Sequence, residues 1–238
     1  MLKRKIFVSC LAVLISISTF SVPTTVFAIE NDFLKYDSKA MKAYNELYKQ
    51  DQAAINEIYQ NLPSMLEEGN KLAKSDAKSS EIQMRSGSSL GTYGDILVSL
   101  IINSGSVGFA GHAAIVSSNS LKTIESYAKS WSPINKDGVQ YYDNAWNNES
   151  GALLVRPIGA TILQYNAAAS YAANQVGKAY NWIFTDKYTT EKFYCSQLVW
   201  RAWLNQGINC ETGSIPNAII APADLVNSSN TYIVKQVQ

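Results

Sequence analysis

The pattern of polar and apolar positions changes period near residue 94. Over residues 37–60, apolar side chains recur at Met41, Tyr44, Leu47, Tyr48, Ile55, Ile58 and Tyr59. This spacing of three and four predicts an amphipathic helix. Pro63 is expected to break or restart it, with a second short helix over 63–73. Residues 79–91 are rich in Ser and Gly, have no period and predict a connector. Beyond Gly94, short apolar runs at 95–100, 112–116, 122–128, 139–142 and 153–156 are separated by Gly, Asn, Ser or Pro clusters, which predicts a meander of strands. Helical spacing returns over 162–176 and again after Cys195, and 232–237 predicts a closing strand. The order predicts an α+β domain over 94–238, preceded by a helical arm and linker over 29–93. There is no internal repeat.

The first residues obey a different logic. Lys3, Arg4 and Lys5 precede an apolar stretch over 6–20, and Val26-Phe27-Ala28 offers a small-x-small cleavage pattern. Residues 1–28 therefore read as a signal peptide. The stretch contains Ser9, Ser16, Ser18 and Thr19 and falls short of the ~20 apolar residues of a membrane span, so a cleaved signal is expected rather than an anchor. Cys10 lies at the front of the apolar region, where a lipid-modified N-terminal cysteine would not be. The expected product is secreted or cell-wall associated, with no stable membrane insertion after cleavage. Removing 1–28 takes away three basic and no acidic residues, leaving 17 basic against 19 acidic side chains. With charge this balanced and basic residues spread along the chain, no nucleic-acid partner is expected. The 14 Tyr, 7 Phe and 5 Trp exclude a solvating, disordered polymer.

The mature chain keeps only Cys195 and Cys210, too few for a fold that leans on disulfides. If 195–206 is a helix, its ends lie ~16 Å apart at 1.5 Å per residue. A disulfide needs Cα atoms within ~7 Å, so two free thiols are expected.

His112 is the one histidine, so any mechanism that needs an imidazole must use it. The segment from His112 to Glu125 reads as two strands joined by a Ser/Asn turn. Side chains alternate faces along a strand, so any loop with an even number of residues puts His112 and Glu125 on the same face. A two-residue loop at Ser118-Asn119 makes them direct neighbours, and a four-residue loop makes them diagonal ones. In either register the carboxylate is placed to accept an imidazole N–H and stabilise the imidazolium, unless Glu125 faces solvent. Cys195 opens a helical segment in which Leu198, Val199 and Ala202 share its side, Gln197, Arg201 and Asn205 form a polar stripe, and Gly207 stands where the helix would end. A thiol at a helix N-terminus, near an imidazolium, is biased toward the thiolate, and the free N–H groups there can bind an oxyanion. The competing reading is a small buried hydrophobe. The glycines over 105–111 match a phosphate loop only loosely and read as a flexible approach to the His112 strand. One histidine and scattered acids make no zinc site, and the carboxylates lack a glycosidase spacing. No metal or cofactor is called for. Trp182, Trp200 and Trp203 read as core or cleft wall.

Gly94-Asp-Ile-Leu, Gly111-His-Ala-Ala-Ile-Val, Ile124-Glu, Tyr194-Cys-Ser-Gln-Leu-Val-Trp and Pro222-Ala-Asp-Leu, in that order, resemble the circularly permuted branch of the NlpC-type papain-like cysteine hydrolases, the YiiX/YycO-like proteins. The order His, Glu, Cys is the one the permuted branch implies, and the resemblance spans about 94–225. It implies a barrel-like antiparallel sheet packed on helices, with Cys195 as nucleophile, His112 as general base and then acid, and Glu125 as orienting group. Tyr194, by its position beside the nucleophile, is a candidate substrate or oxyanion contact. The expected activity is that of an amidase or peptidase acting on cell-wall peptides, peptidoglycan fragments or other small amides. A lipid acyl hydrolase or acyltransferase and a non-catalytic secreted binding module are the alternatives. The oligomeric state is not readable.

Overall fold

The six apolar runs beyond residue 94 become β1 (Ile96–Ser99), β2 (His112–Val116), β3 (Lys122–Tyr127), β4 (Gly138–Asp143), β5 (Leu153–Pro157) and β8 (Thr231–Gln236), and two short strands that the pattern did not predict, β6 (Ala179–Tyr180) and β7 (Lys192–Phe193), lie between the last two. The structure is a computed structural model that describes residues 38–77, 89–101, 111–212 and 219–238. The expected signal peptide, most of the Ser/Gly connector and the glycines at 105 and 108 lie outside these residues. The chain divides into two compact units, 1–42 and 43–238; of the first, only the opening of the arm helix is described.

Six strands form one antiparallel sheet in the order β4-β3-β2-β1-β5-β8, and β6 and β7 pair separately in parallel. The first four strands are the expected meander. β5 then crosses to the far side of β1 (Ile96 opposite Val155), which lengthening the meander past β4 would not have produced. Two helices, α2 (Ile162–Ala173) and α3 (Cys195–Leu204), pack on each other and on β2, and a short α4 (Pro222–Asn227) lies against β1 and β8. Helix α2 starts at a capping box in which Thr161 Oγ1 accepts from Gln164 N and Thr161 N donates to Gln164 Oε1 at 2.9 Å.

The arm departs from the sequence expectation. It is one 36-residue helix, α1 (Ser38–Ala73), running straight through Pro63. A proline inside a helix forfeits one i to i−4 bond and crowds the preceding turn. Here burial on both sides holds the helix together: Ile55, Ile58 and Leu62 are buried before the proline, and Gly69 after it. A Cβ at Gly69 would lie 1.8 Å from the Ile233 carbonyl oxygen, so the helix is pressed against the backbone of β8 where only a glycine fits. Leu72 and Ala73 then pack on a core cluster that includes Leu97, Ala114, Leu154, Val234 and Trp146. Residues 43–73 are thus part of the same compact unit as the sheet.

The Gly94-Asp95 motif has a structural task. Asp95 accepts two hydrogen bonds from Arg156, Nε to Oδ1 at 2.8 Å and Nη2 to Oδ2 at 3.0 Å, joining the start of β1 to β5. Asp76, just beyond α1, lies 3.9 Å from Arg156 Nη1 and accepts hydroxyl hydrogen bonds from Tyr165 and Tyr232. The end of the arm is therefore tied to β5, α2 and β8 through one buried ionic cluster.

Candidate active site

Gly111 lets β2 begin where it does. Its φ is +102°, and a Cβ there would lie 2.0 Å from the Ser99 carbonyl oxygen, so only glycine allows the chain to enter this close to β1. Ile115 then stands opposite Ile124 and Val116 opposite Thr123, while Ser117 N donates to Lys122 O at 3.0 Å. The loop is therefore the four-residue one, over 118–121. Parity makes Tyr127 the direct neighbour of His112 and Glu125 the diagonal one, on the same face. The imidazole leans toward β3: His112 Nε2 is 2.7 Å from Glu125 Oε2, and the Tyr127 ring stacks on it with centroids 4.1 Å apart and planes 25° apart.

Glu125 does not face solvent; it is 3% exposed. Its second oxygen accepts from the Thr123 hydroxyl and from Trp146 Nε1 at 3.1 Å. Burial alone would raise the pKa of this carboxyl, but hydrogen bonding to His112 and the charge on that ring, with help from Thr123 and Trp146, hold it below its ordinary value. The Trp146 ring lies nearly parallel to the imidazole, with centroids 6.0 Å apart and planes 15° apart. Thr123 and Tyr127 share the face of Glu125 by strand parity and were legible as neighbours. Trp146 comes from a short 3-10 turn at 146–148, and nothing in the local sequence points it at Glu125.

Cys195 is the first residue of α3, with Tyr194 as N-cap. Its thiol faces the His112 ring, whose Nε2 is engaged by Glu125, which leaves Nδ1 for the sulfur. The Ala113 backbone N–H also reaches the sulfur. That N–H is available because the described β2–β3 pairing stops at Ile115, so the strands part toward His112 where the helix start comes in. Burial opposes ionisation of both groups. Their hydrogen bond and mutual charge outweigh it, with the Cys195 pKa lowered and that of His112 raised to about 10, aided by Glu125. Cys210, by contrast, is fully buried, and burial pushes its thiol up to about 12. Both cysteines are free.

A pH expectation follows from these directions. The imidazolium persists until pH rises through about 10, and the thiolate persists down to a pH below the ordinary thiol value of 9.0. Iodoacetamide should therefore label Cys195 at lower pH than an ordinary thiol and far ahead of Cys210 in the native protein, as read by peptide mass spectrometry. Glu125→Gln should weaken the imidazolium and move the labelling profile to higher pH. An unmoved profile would show that the carboxylate does not support the ion pair.

The helix start is held from behind. Ile220 N donates to Tyr194 Oη at 2.9 Å, and Ser196 Oγ donates to Ile220 O at 2.6 Å, so the residues on either side of Cys195 grip the same residue. Tyr194 is 2% exposed and its ring packs edge-on against Phe184. Its side chain is therefore turned into the fold rather than toward a substrate, contrary to the expectation from its place in the sequence. Gln197 also leaves the expected polar stripe. It is fully buried, accepts from Tyr194 N at 3.1 Å and Asn181 Nδ2 at 3.0 Å, and donates to carbonyls of the 186–189 loop. A polar residue at that helical position faces inward because an irregular loop, not solvent, covers that side. Among the described residues no group of three or more His, Cys, Asp or Glu side chains is placed to hold a metal ion.

Residues 92–233 match a protein family described as "Permuted papain-like amidase enzyme, YaeF/YiiX, C92 family". A crystal structure of the metalloprotein YiiX of Escherichia coli O157:H7, a DUF1105 protein, is similar over 61% of this chain and 97% of that one, with a TM-score of 0.45 and 16% sequence identity. No curated protein matches the chain.

Proposed function

Given that this chain belongs to the permuted papain-like amidases of the YaeF/YiiX family, and is accordingly a hydrolase of the cysteine-peptidase type, we propose that it cleaves amide bonds through Cys195, His112 and Glu125. The observation that carries the reading is the run in which the Cys195 thiol faces His112, His112 is hydrogen-bonded to Glu125, and Glu125 accepts from Thr123 and Trp146. The Cys195 thiolate attacks the amide carbonyl carbon, forming a C–S bond and moving the carbonyl electron pair onto oxygen. Backbone N–H groups at the start of α3 are the donors nearest that oxyanion. His112, an imidazolium at this point, gives its proton to the departing nitrogen as the C–N bond breaks. Neutral His112 then takes a proton from water, which attacks the thioester and releases the acid and the thiolate. Glu125 holds the ring through Nε2, so that Nδ1 serves the proton transfers in both halves.

The substrate class proposed is cell-wall peptide or a related small amide, met outside the membrane after removal of residues 1–28. Purified protein from residue 29 onward is the material to test. Incubated with wall fragments, it should yield products that carry one added water per cleaved amide, seen by mass spectrometry and absent with Cys195→Ala. Fragments left intact by the wild type while a simple acyl ester or acyl amide is cleaved would move the substrate to the acyl class. Inertness toward every amide and ester offered would overturn the hydrolytic reading of the site.

A further inference from the structure

Two neighbouring turns expose apolar side chains where turns ordinarily carry polar ones. In the first, Asn135 N donates to Ser132 O at 2.9 Å, which places Pro133 and Ile134 at the apex, with Ile134 46% exposed. In the second, Ile183 N donates to Asn181 Oδ1 at 3.0 Å and Asp186 N to Ile183 O at 2.9 Å. There Trp182 and Ile183 stand out, 43% and 47% exposed. The turns are fixed to each other. Trp131 and Trp182 meet edge-to-face with centroids 5.5 Å apart, and the Asp137 carboxylate accepts from Lys129 N at 3.2 Å and from Tyr180 N at 3.0 Å. Side chains that loose turns would be free to fold back are thus held outward.

We infer that these two turns form a lipid-docking surface, with Ile134, Trp182 and Ile183 entering the headgroup region of a phospholipid bilayer. The shape argues for this occupant: the apolar groups sit on two turn tips, not in a groove, and three tips fall far short of the ~20 residues a side of a stable protein interface. Trp is suited to the boundary between headgroups and acyl chains, having an apolar ring and a polar N–H. Lys129 and Lys136 are exposed on the first turn and are balanced in number by the exposed Asp137 beside them and Asp186 at the far end of the second, so the apolar tips and not a net charge carry the attachment. No helix among the described residues is long and apolar enough to cross a membrane, so the contact is superficial. The surface also adjoins the site: Asn181, which shapes the second turn, donates to Gln197 of the Cys195 helix at 3.0 Å. Docking would hold the catalytic end of the molecule beside the membrane.

The test is sedimentation of the protein from residue 29 onward with vesicles of equal parts phosphatidylglycerol and phosphatidylcholine, and with phosphatidylcholine alone. Wild type should bind both kinds of vesicle, with the Trp emission shifted to shorter wavelength. The triple variant Ile134→Ser, Trp182→Ser, Ile183→Ser should lose at least tenfold in vesicle affinity while Cys195 is alkylated at the wild-type rate, which checks the fold. Cys195→Ala should bind as wild type does, so the result is independent of whether the proposed hydrolysis is right. Absence of vesicle binding by wild type, or binding that the triple variant retains, would overturn the proposal. So would a concentration-dependent dimer that the triple variant loses, since it would assign the surface to a second copy of the chain.

Discussion

Cys195→Ala and His112→Ala should each lower amide turnover by roughly 10⁴-fold or more while leaving the fold intact, as read by kcat/KM and by an unchanged thermal melt. The two losses should not add, because thiol and imidazole act as one pair: each shifts the other toward its charged form. In the proposed mechanism, removing the sulfur takes away the group that bonds to carbon, and removing the imidazole takes away the proton carrier and returns the thiol to a buried site that disfavours its charge. Glu125→Gln should cost less, since the ring remains stacked on Tyr127 and can still be hydrogen-bonded by the amide. Substantial hydrolysis by either alanine variant would end the assignment of this site as the catalytic one. The pair also links the fold to pH. The stabilisation from His112 is complete below its ordinary 6.5 and is lost as pH rises through about 10, while that from Glu125 is complete above its ordinary 4.5 and is lost as pH falls.

Arg156→Met should be the most destabilising single substitution away from the site, by about 3–5 kcal/mol, because it removes the only described cation from a cluster holding two buried carboxylates. Arg156 is 1% exposed and Asp95 is completely buried, so water cannot replace the lost partner. The same guanidinium faces Asp76, so the loss should also loosen the end of α1 from the sheet. Urea unfolding followed by Trp fluorescence should show the midpoint falling. Combining the change with Asp95→Asn should recover part of the loss, since the buried charge that the first substitution orphans is then gone. Additive losses in the double variant would show that the ion pair is not what joins β1 to β5.

The β2–β3 hairpin shows how far local pattern reaches. Strand alternation alone put His112 and Glu125 on one face, and this holds for either even loop. Choosing between direct and diagonal contact required the turn hydrogen bond from Ser117 to Lys122, which depends on how the loop closes. In the same way, β5 reads from the sequence as a strand, yet its place beside β1 comes from the pairing of Asp95 with Arg156, 61 residues apart, and no period records such a distance.

The sequence by itself determined the α+β class, six strands of the sheet, the two longer helices that pack on it, and the three side chains proposed to carry the chemistry, since periodicity, parity and a single histidine are local or countable properties. The tertiary structure decided the rest. It kept α1 whole through Pro63 by burying both of its halves, turned Tyr194 and Gln197 inward to hold the helix start, and brought Trp146 onto Glu125. Each of these depends on which surfaces meet across the fold, and burial against a distant segment can override a residue's local preference.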